Sequence, residues 1–133
     1  MNGQDIVDAA RQYIGTPWRH AGRGRDGCDC VGLILAVCGD LGLRRPALRY
    51  RPLPDLALFD LLPLYAERVE DYQPGDVARF TVAGRPQHLG ILAEHPQGGT
   101  SLIHANKTAG KVCEHRLDSK WARRMVSVWR VRF

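Results

Sequence analysis

The hydrophobic pattern of the first forty residues predicts two helices of different character. Over residues 5–14 the apolar side chains recur every three to four positions and form one stripe, which is typical of an amphipathic helix. Gly15 and Pro17 end that segment. Residues 30–41 are apolar on almost every side, which predicts a buried, central helix with Gly42 as its terminator.

After residue 73 the pattern changes to short β runs separated by turns that contain Gly and Pro. A helical turn is predicted at 118–124, between the last two strands. Helices followed by antiparallel strands indicate an α+β fold, with the N-terminal helices packed on a C-terminal sheet of about five strands. The predicted strands are 77–82, 88–93, 100–105, 111–114 and 125–133.

The segment 44–74 gives the weakest pattern, because five prolines interrupt it. A short helix is predicted over 55–62, and residues 66–71 are expected to be exposed. We interpret the segment as a packing insert, or else as the rim of a substrate cleft or a docking surface.

Length and composition predict one domain over residues 1–133, with an ordinary soluble balance of 44% hydrophobic and 25% charged residues. The chain opens without the pattern of a signal peptide, and no apolar run is long enough for a membrane span. We therefore expect a protein made in the cytoplasm without membrane insertion. The net charge of +5 favours anionic partners, such as a cell-wall polymer. The arginines are scattered and not clustered with aromatic residues, which argues against nucleic acid.

The candidate nucleophile lies where a glycine-rich loop meets the second predicted helix. There Cys28, Asp29 and Cys30 directly precede an apolar run. Cys30 falls at the helix start, where unpaired backbone N–H groups favour a thiolate, the reactive form of cysteine. We expect Cys30 to be the nucleophile, Asp29 to cap the helix or orient the loop, and Cys28 to be structural. Cys38 and Cys113 are expected in the core, and all four cysteines are expected to be reduced thiols.

Two histidines on adjacent predicted strands are the candidate partners of this thiol. His88 opens a strand after a turn, and His104 ends the next one. A hairpin between these strands would put both at the same end, where a ring N–H···N contact could hold the first imidazole. We expect His88 to act as the base and His104 to orient it, because a cysteine hydrolase needs an imidazole and a third polar group. The remaining histidines are expected at a cleft or the surface (His20) or exposed (His95 and His115).

A zinc site is the main chemical alternative, since cysteine and histidine are both zinc ligands. The spacing of Cys28 and Cys30 is not the usual pair separated by two residues, and no second pair follows. We therefore expect no metal and no cofactor.

In their order along the chain, these residues resemble the motifs of the NlpC family of cell-wall cysteine peptidases. The resemblance implies a papain-like fold, a triad of Cys30, His88 and His104, and hydrolysis of peptide bonds in peptidoglycan. The usual target is the D-γ-glutamyl–diamino-acid link of the stem peptide. The matching stretches are Gly15-Thr16-Pro17, Asp29-Cys30-x-Gly32-Leu33, Pro74-Gly75-Asp76-Val77, His88-x-Gly90-Ile91 and Ile103-His104-Ala105.

The run Trp18–Arg23 and the small, leader-free domain look most like the family branch carried by phage tails and gene transfer agents. That likeness implies tail or baseplate partners and a particle that opens the cell wall. The chain departs from the family pattern twice: Val31 stands where a serine is usual, and Trp18 where a tyrosine is usual. We expect the Cys30 N–H, with Trp18 and the neighbouring Asp29, to form the oxyanion and substrate side of the site.

Two other interpretations stay open. The first is a catalytically silent structural or wall-binding module of a tail tip on the same fold, which the residues Val31 and Trp18 favour. The second is an amidase or acyltransferase that uses the same triad.

Overall fold

A computed structural model describes residues 1–45, 62–82 and 85–133. The helix predicted over 55–62 and most of the 44–74 segment therefore fall wholly or partly outside the described residues. The helices are α1 (Gly3–Arg11), α2 (Cys30–Asp40) and α3 (Ser119–Arg124). The strands are β1 (Arg23–Gly24), β2 (Gly27–Cys28), β3 (Ala66–Val69), β4 (Val77–Val82), β5 (Arg85–Glu94), β6 (Thr100–Asn106), β7 (Lys111–Arg116) and β8 (Met125–Val131).

A six-stranded antiparallel sheet, in the order β3-β8-β4-β5-β6-β7, forms the body of the fold. The two long helices precede this sheet in the chain, which is the predicted α+β arrangement. The strand β3 was not predicted, and the expectation that residues 66–71 are exposed is wrong for Ala66, which is buried. This strand exists because it pairs with β8, Ala66 lying opposite Val131, and such a distant partner leaves no local signal.

The first face of the sheet carries α1 and α2 over the larger hydrophobic core. All residues of α2 from Cys30 to Cys38 are buried, which confirms the prediction of a central helix. The helix α1 begins earlier than the predicted position 5, because Asn2 and Asp5 form a capping box. It ends at Arg11, and a turn leads on to Gly15, whose φ of 91° suits glycine.

The second face carries a smaller core, which α3 covers through Trp121. Residues directly opposite each other in antiparallel strands point to the same face. Because Phe80 pairs with His88 and His104 pairs with Cys113, this face also carries the histidines of interest.

Two ion pairs fasten the ends of the chain to the sheet. Arg11 of α1 makes a bidentate contact with Glu114 of β7, with both N···O distances 2.9 Å. Asp76 is buried at the turn before β4 and accepts from Arg130 of β8 at 3.0 and 2.9 Å. Among the described residues, no helix has the length and apolar character that crossing a membrane would require.

Candidate active site

The carboxylate of Asp29 shapes the start of α2. Its Oδ1 accepts from the Gly32 N–H at 2.8 Å, which is the bond of an N-cap. Its Oδ2 accepts from the Ala21 N–H, also at 2.8 Å. Asp29 therefore caps the helix and fastens the preceding loop to it, as the sequence indicated for this residue.

Close backbone contact holds the glycine-rich loop against the same helix end. A Cβ on Gly32 would overlap the carbonyl oxygen of Gly22, and a Cβ on Gly22 would overlap the carbonyl oxygen of Gly27. Only glycine fits this approach. The loop and the first turn of α2 thus form one rigid support for Cys30.

The sulfur of Cys30 lies beyond the point where the pairing between β5 and β6 ends. Their register runs from Glu94 opposite Thr100 to Ile91 opposite Ile103, and the ladder stops there. One alternation further along β5, the Leu89 N–H donates to the Cys30 sulfur. Since strand N–H groups lie in the plane of the sheet, the sulfur reaches the edge of β5 next to His88.

Burial raises the pKa of the Cys30 thiol to about 11. The backbone N–H groups of Leu89, Val31 and Cys30 itself act in the opposite direction, toward a lower pKa. Desolvation has the larger effect, so the pKa is raised even though the helix-start N–H groups favour the thiolate, as the sequence indicated. A raised pKa favours the neutral thiol, so activation of the sulfur requires a base.

Three imidazoles form a continuous hydrogen-bonded series on the second face of the sheet. His88 Nε2 and His104 Nδ1 are 2.7 Å apart, which is the ring contact that the sequence predicted. His104 Nε2 and His115 Nε2 are 2.8 Å apart. His115 Nδ1 lies 2.8 Å from the carbonyl oxygen of Arg116. The series therefore crosses β5, β6 and β7 and ends on the main chain.

The last contact fixes the proton positions of the whole series. A carbonyl oxygen only accepts, so Nδ1 of His115 carries hydrogen, and Nε2 of the neutral ring accepts. His104 then donates through Nε2 and accepts at Nδ1, and His88 donates through Nε2. The remaining nitrogen of His88, Nδ1, keeps its lone pair and is able to take a proton.

Burial favours the neutral form of the rings of His88 and His104. It lowers the pKa of His88 to about 4. For His104, burial together with the neighbouring imidazoles His88 and His115 lowers the pKa to about 2. A neutral His88 with a free Nδ1 is the form that a general base requires.

Trp121 and Gly90 create the space in which the imidazoles meet. The indole of Trp121 packs against the rings of His88 and His104, with centroids 5.4 and 4.8 Å away. A Cβ on Gly90 would overlap Leu102 and lie 3.2 Å from the Cβ of His104. The glycine of the His-x-Gly-Ile stretch thus leaves room for the second imidazole.

His115 and Trp121 were missed by the sequence reasoning. His115 was expected to be exposed, but it is half-buried and closes the imidazole series. The available signal was strand alternation: residue 115 shares the face of residue 113, which lies opposite His104 once the β6–β7 register is known. His95, also expected to be exposed, is half-buried too.

The other residues singled out from the sequence do not belong to the imidazole series. Trp18 is half-buried, its main-chain N–H donates to the Gly110 carbonyl oxygen at 2.8 Å, and the Lys107 ammonium lies 5.1 Å from its ring. The thiols of Cys28 and Cys38 are buried, and Cys113 is half-buried. Among the described residues, neither Cys28 nor Cys30 belongs to a group of three potential metal ligands.

Comparison with known proteins gives consistent results. A model of the NlpC/P60 family matches residues 15–130. A Corynebacterium glutamicum protein named "Probable endopeptidase Cgl2188" is 31% identical over 116 residues, which cover 87% of this chain and 49% of that protein. The chain thus spans about half the length of the curated relatives it matches.

Several solved structures match over nearly the whole of both chains. The NlpC/p60 domain of the peptidoglycan hydrolase SagA superimposes with a TM-score of 0.67 at 23% identity, covering 100% of each chain. An N-acetylmuramoyl-L-alanine amidase from Bacteroides uniformis gives a TM-score of 0.70 at 13% identity, covering 98% of this chain and 99% of that one. These likenesses establish the papain-like fold that the sequence predicted, and the family match over residues 15–130 shows that the chain belongs to the NlpC/P60 family.

Proposed function

We propose that this domain is a cysteine endopeptidase that cleaves the stem peptides of peptidoglycan. The observation that carries the proposal is the 2.7 Å contact between His88 and His104, beside a Cys30 sulfur held on the Leu89 N–H. The family membership and a relative named as an endopeptidase support the reaction class, and a structural neighbour named as a peptidoglycan hydrolase supports the substrate.

In this mechanism His88 Nδ1 removes the proton from the Cys30 thiol as the sulfur attacks the amide carbonyl carbon. The proposed oxyanion donor is the Cys30 N–H, together with Trp18. His88 then protonates the departing amine, and water hydrolyses the thioester. His104 keeps the proton of His88 on Nε2 throughout, and Asp29 holds the helix start in place.

Digestion of purified sacculi tests the proposal. Wild type should release muropeptides, and Cys30→Ala should release none above background. The matched control is Cys38→Ala, which makes the same change in the same helix at a buried position outside the site. Equal release by wild type and Cys30→Ala would end the proposal, whereas loss of release in both variants would indicate a folding defect, to be checked by circular dichroism.

The second candidate is a catalytically silent module, which is favoured by Val31 and Trp18 at positions where the family has other residues. A thiol-reactive probe separates the two. If His88 serves as a base, Cys30 should label faster than Cys28 or Cys38 near neutral pH, and His88→Ala should remove that advantage. Uniform slow labelling of all the thiols would support the silent module.

The same triad also suits amidase or acyltransferase chemistry, and one structural relative is named as an N-acetylmuramoyl-L-alanine amidase. Mass analysis of the products distinguishes these outcomes. A cut within the stem peptide supports the endopeptidase, release of whole stem peptides from the glycan supports the amidase, and a new amide supports an acyltransferase.

For the biological setting we propose a phage-like tail or gene-transfer particle, in which tail or baseplate proteins carry the domain to the wall. The resemblance of Trp18–Arg23 to that branch supports this setting. Mass spectrometry of purified particles should detect the chain in the tail fraction, and its confinement to free cytoplasmic protein would refute the idea.

A further inference from the structure

Two members of the imidazole series also belong to a group of three potential metal ligands. His104, Cys113 and His115 each offer one ligand atom, and these atoms all lie within 4.8 Å of one another. The sheet register explains the grouping, because Cys113 is directly opposite His104 and His115 follows two residues later on the same face. The proposed reaction makes no use of Cys113.

We propose that His104, Cys113 and His115 form a Zn²⁺ site, and that the bound ion stops catalysis by moving the proton of His88 to its other nitrogen. Two imidazoles and a thiolate are a ligand set that zinc favours, with water as the fourth ligand. The inhibition rests on the proposed function, whereas binding of the ion does not.

The ligand side chains are close enough to reach one ion after local movement of the rings. Two nitrogens on a tetrahedral zinc, each about 2.0–2.1 Å from the ion, stand about 3.3 Å apart. His104 Nε2 and His115 Nε2 are 2.8 Å apart in a direct contact, so the rings must separate by about half an ångström and tilt until both lone pairs point at the ion. The three ligand atoms, which lie within 4.8 Å of one another, then close around it. His104 is fully buried, while Cys113 and His115 are half-buried on the edge strand β7, which gives the ion a path from solvent.

The proton account follows from the hydrogen bonds. His115 already presents a lone pair at Nε2, because its Nδ1 donates to the Arg116 carbonyl. His104 must free its Nε2 for the ion, so its proton moves to Nδ1. That Nδ1–H now donates to His88 Nε2 across the 2.7 Å contact, and the proton of His88 moves to Nδ1. Cys113 releases its thiol proton to solvent, and no group changes oxidation state.

The consequence is a specific loss of function. In the metal-bound state His88 Nδ1 carries hydrogen and has no lone pair for the Cys30 proton. The nucleophile itself stays untouched, which distinguishes this site from direct binding of an ion to Cys30 and His88.

Cobalt spectroscopy on chelator-treated protein locates the ligands without any assay of activity. Co²⁺ should give a thiolate-to-metal charge-transfer band in wild type, in Cys30→Ala and in the control Cys38→Ala. The band should disappear in Cys113→Ala and in Cys113→Ser. A band that survives both changes at residue 113 but is lost in Cys30→Ala would overturn the proposal, as would the absence of a band in folded wild type.

Zinc titration of muropeptide release tests the inhibition. Each protein is compared with its own metal-free rate, and the zinc concentration for half inhibition should rise at least tenfold in both Cys113 variants. Equal inhibition of wild type and variants would overturn the inhibitory role. A metal-free wild type that releases nothing from sacculi would refute the proposed function, and the cobalt spectra would still decide the metal site.

Discussion

At the scale of single residues, the site depends on residues that do not react as well as on those that do. Gly90 carries no side chain, and this leaves room for Leu102 and His104 on the adjoining strand. His115 adds no reactive group of its own, but it directs the proton of His104 and, through it, that of His88. Substitutions at such positions change the catalytic base without touching it.

Gly90→Ala tests this residue-scale view. The new Cβ would overlap Leu102 and crowd His104, so we expect a loss of about 1–3 kcal/mol in unfolding free energy. Muropeptide release should fall with it, because the His88–His104 contact is displaced. Urea unfolding and sacculus digestion measure the two effects. The control is Gly24→Ala, where a Cβ meets nothing within 4 Å; identical behaviour of the two variants would contradict the explanation.

At the scale of elements, the helix α2 and its loop act as one unit. The two oxygens of Asp29 bind Gly32 of the helix and Ala21 of the loop, both at 2.8 Å. The first turn of α2, which carries the sulfur, is therefore positioned by chain that precedes it directly in the sequence.

Asp29→Ala should remove the two hydrogen bonds that join the loop to α2. Losing the cap costs about 1–2 kcal/mol, and the second hydrogen bond adds about 1 kcal/mol. Cys30 should also label more slowly with a thiol probe, because its sulfur no longer has a fixed direction. Asp118→Ala removes the cap of α3, at 2.9 Å to Trp121 N–H, and should lower stability without slowing Cys30. If both variants slow Cys30 equally, the cap of α2 has no special part in the site.

Prediction from the sequence succeeded where structure is local and failed where it depends on distant pairing. The buried helix over 30–41 is observed as Cys30–Asp40, and the strand over 100–105 as Thr100–Asn106, since each has its own periodicity. The strand β3 has charged, exposed residues at its centre and is defined by β8. His115 joins the site only through the β6–β7 register, and the Cys30 pKa depends on burial that no local pattern measures.

At the scale of the whole molecule, folding places neutral histidines in the interior. The unfolded chain protonates a histidine below about pH 6.5, whereas burial lowers the pKa of His88 to about 4 and of His104 to about 2 in the folded protein. Between these limits the unfolded state binds more protons, so stability rises with pH and falls on acidification.

Unfolding free energy measured by urea between pH 7 and pH 5 should therefore decrease as the pH drops. Each buried histidine contributes at most about 1.4 kcal/mol per pH unit below pH 6.5. His104→Gln should remove one such contribution and flatten the slope, whatever its effect on absolute stability. Glu114, whose pKa is lowered by Arg11, acts in the same direction, but mainly at more acidic pH. An unchanged slope in the variant would contradict this account.

The imidazole series ends on the carbonyl oxygen of Arg116, and that ending has an evolutionary consequence. A main-chain oxygen is supplied by every amino acid, so genetic drift at position 116 cannot delete it. At this position, natural selection acts on the backbone conformation that orients the carbonyl oxygen toward His115. Descendants of this domain are thus free to vary here while inheriting the same catalytic polarity.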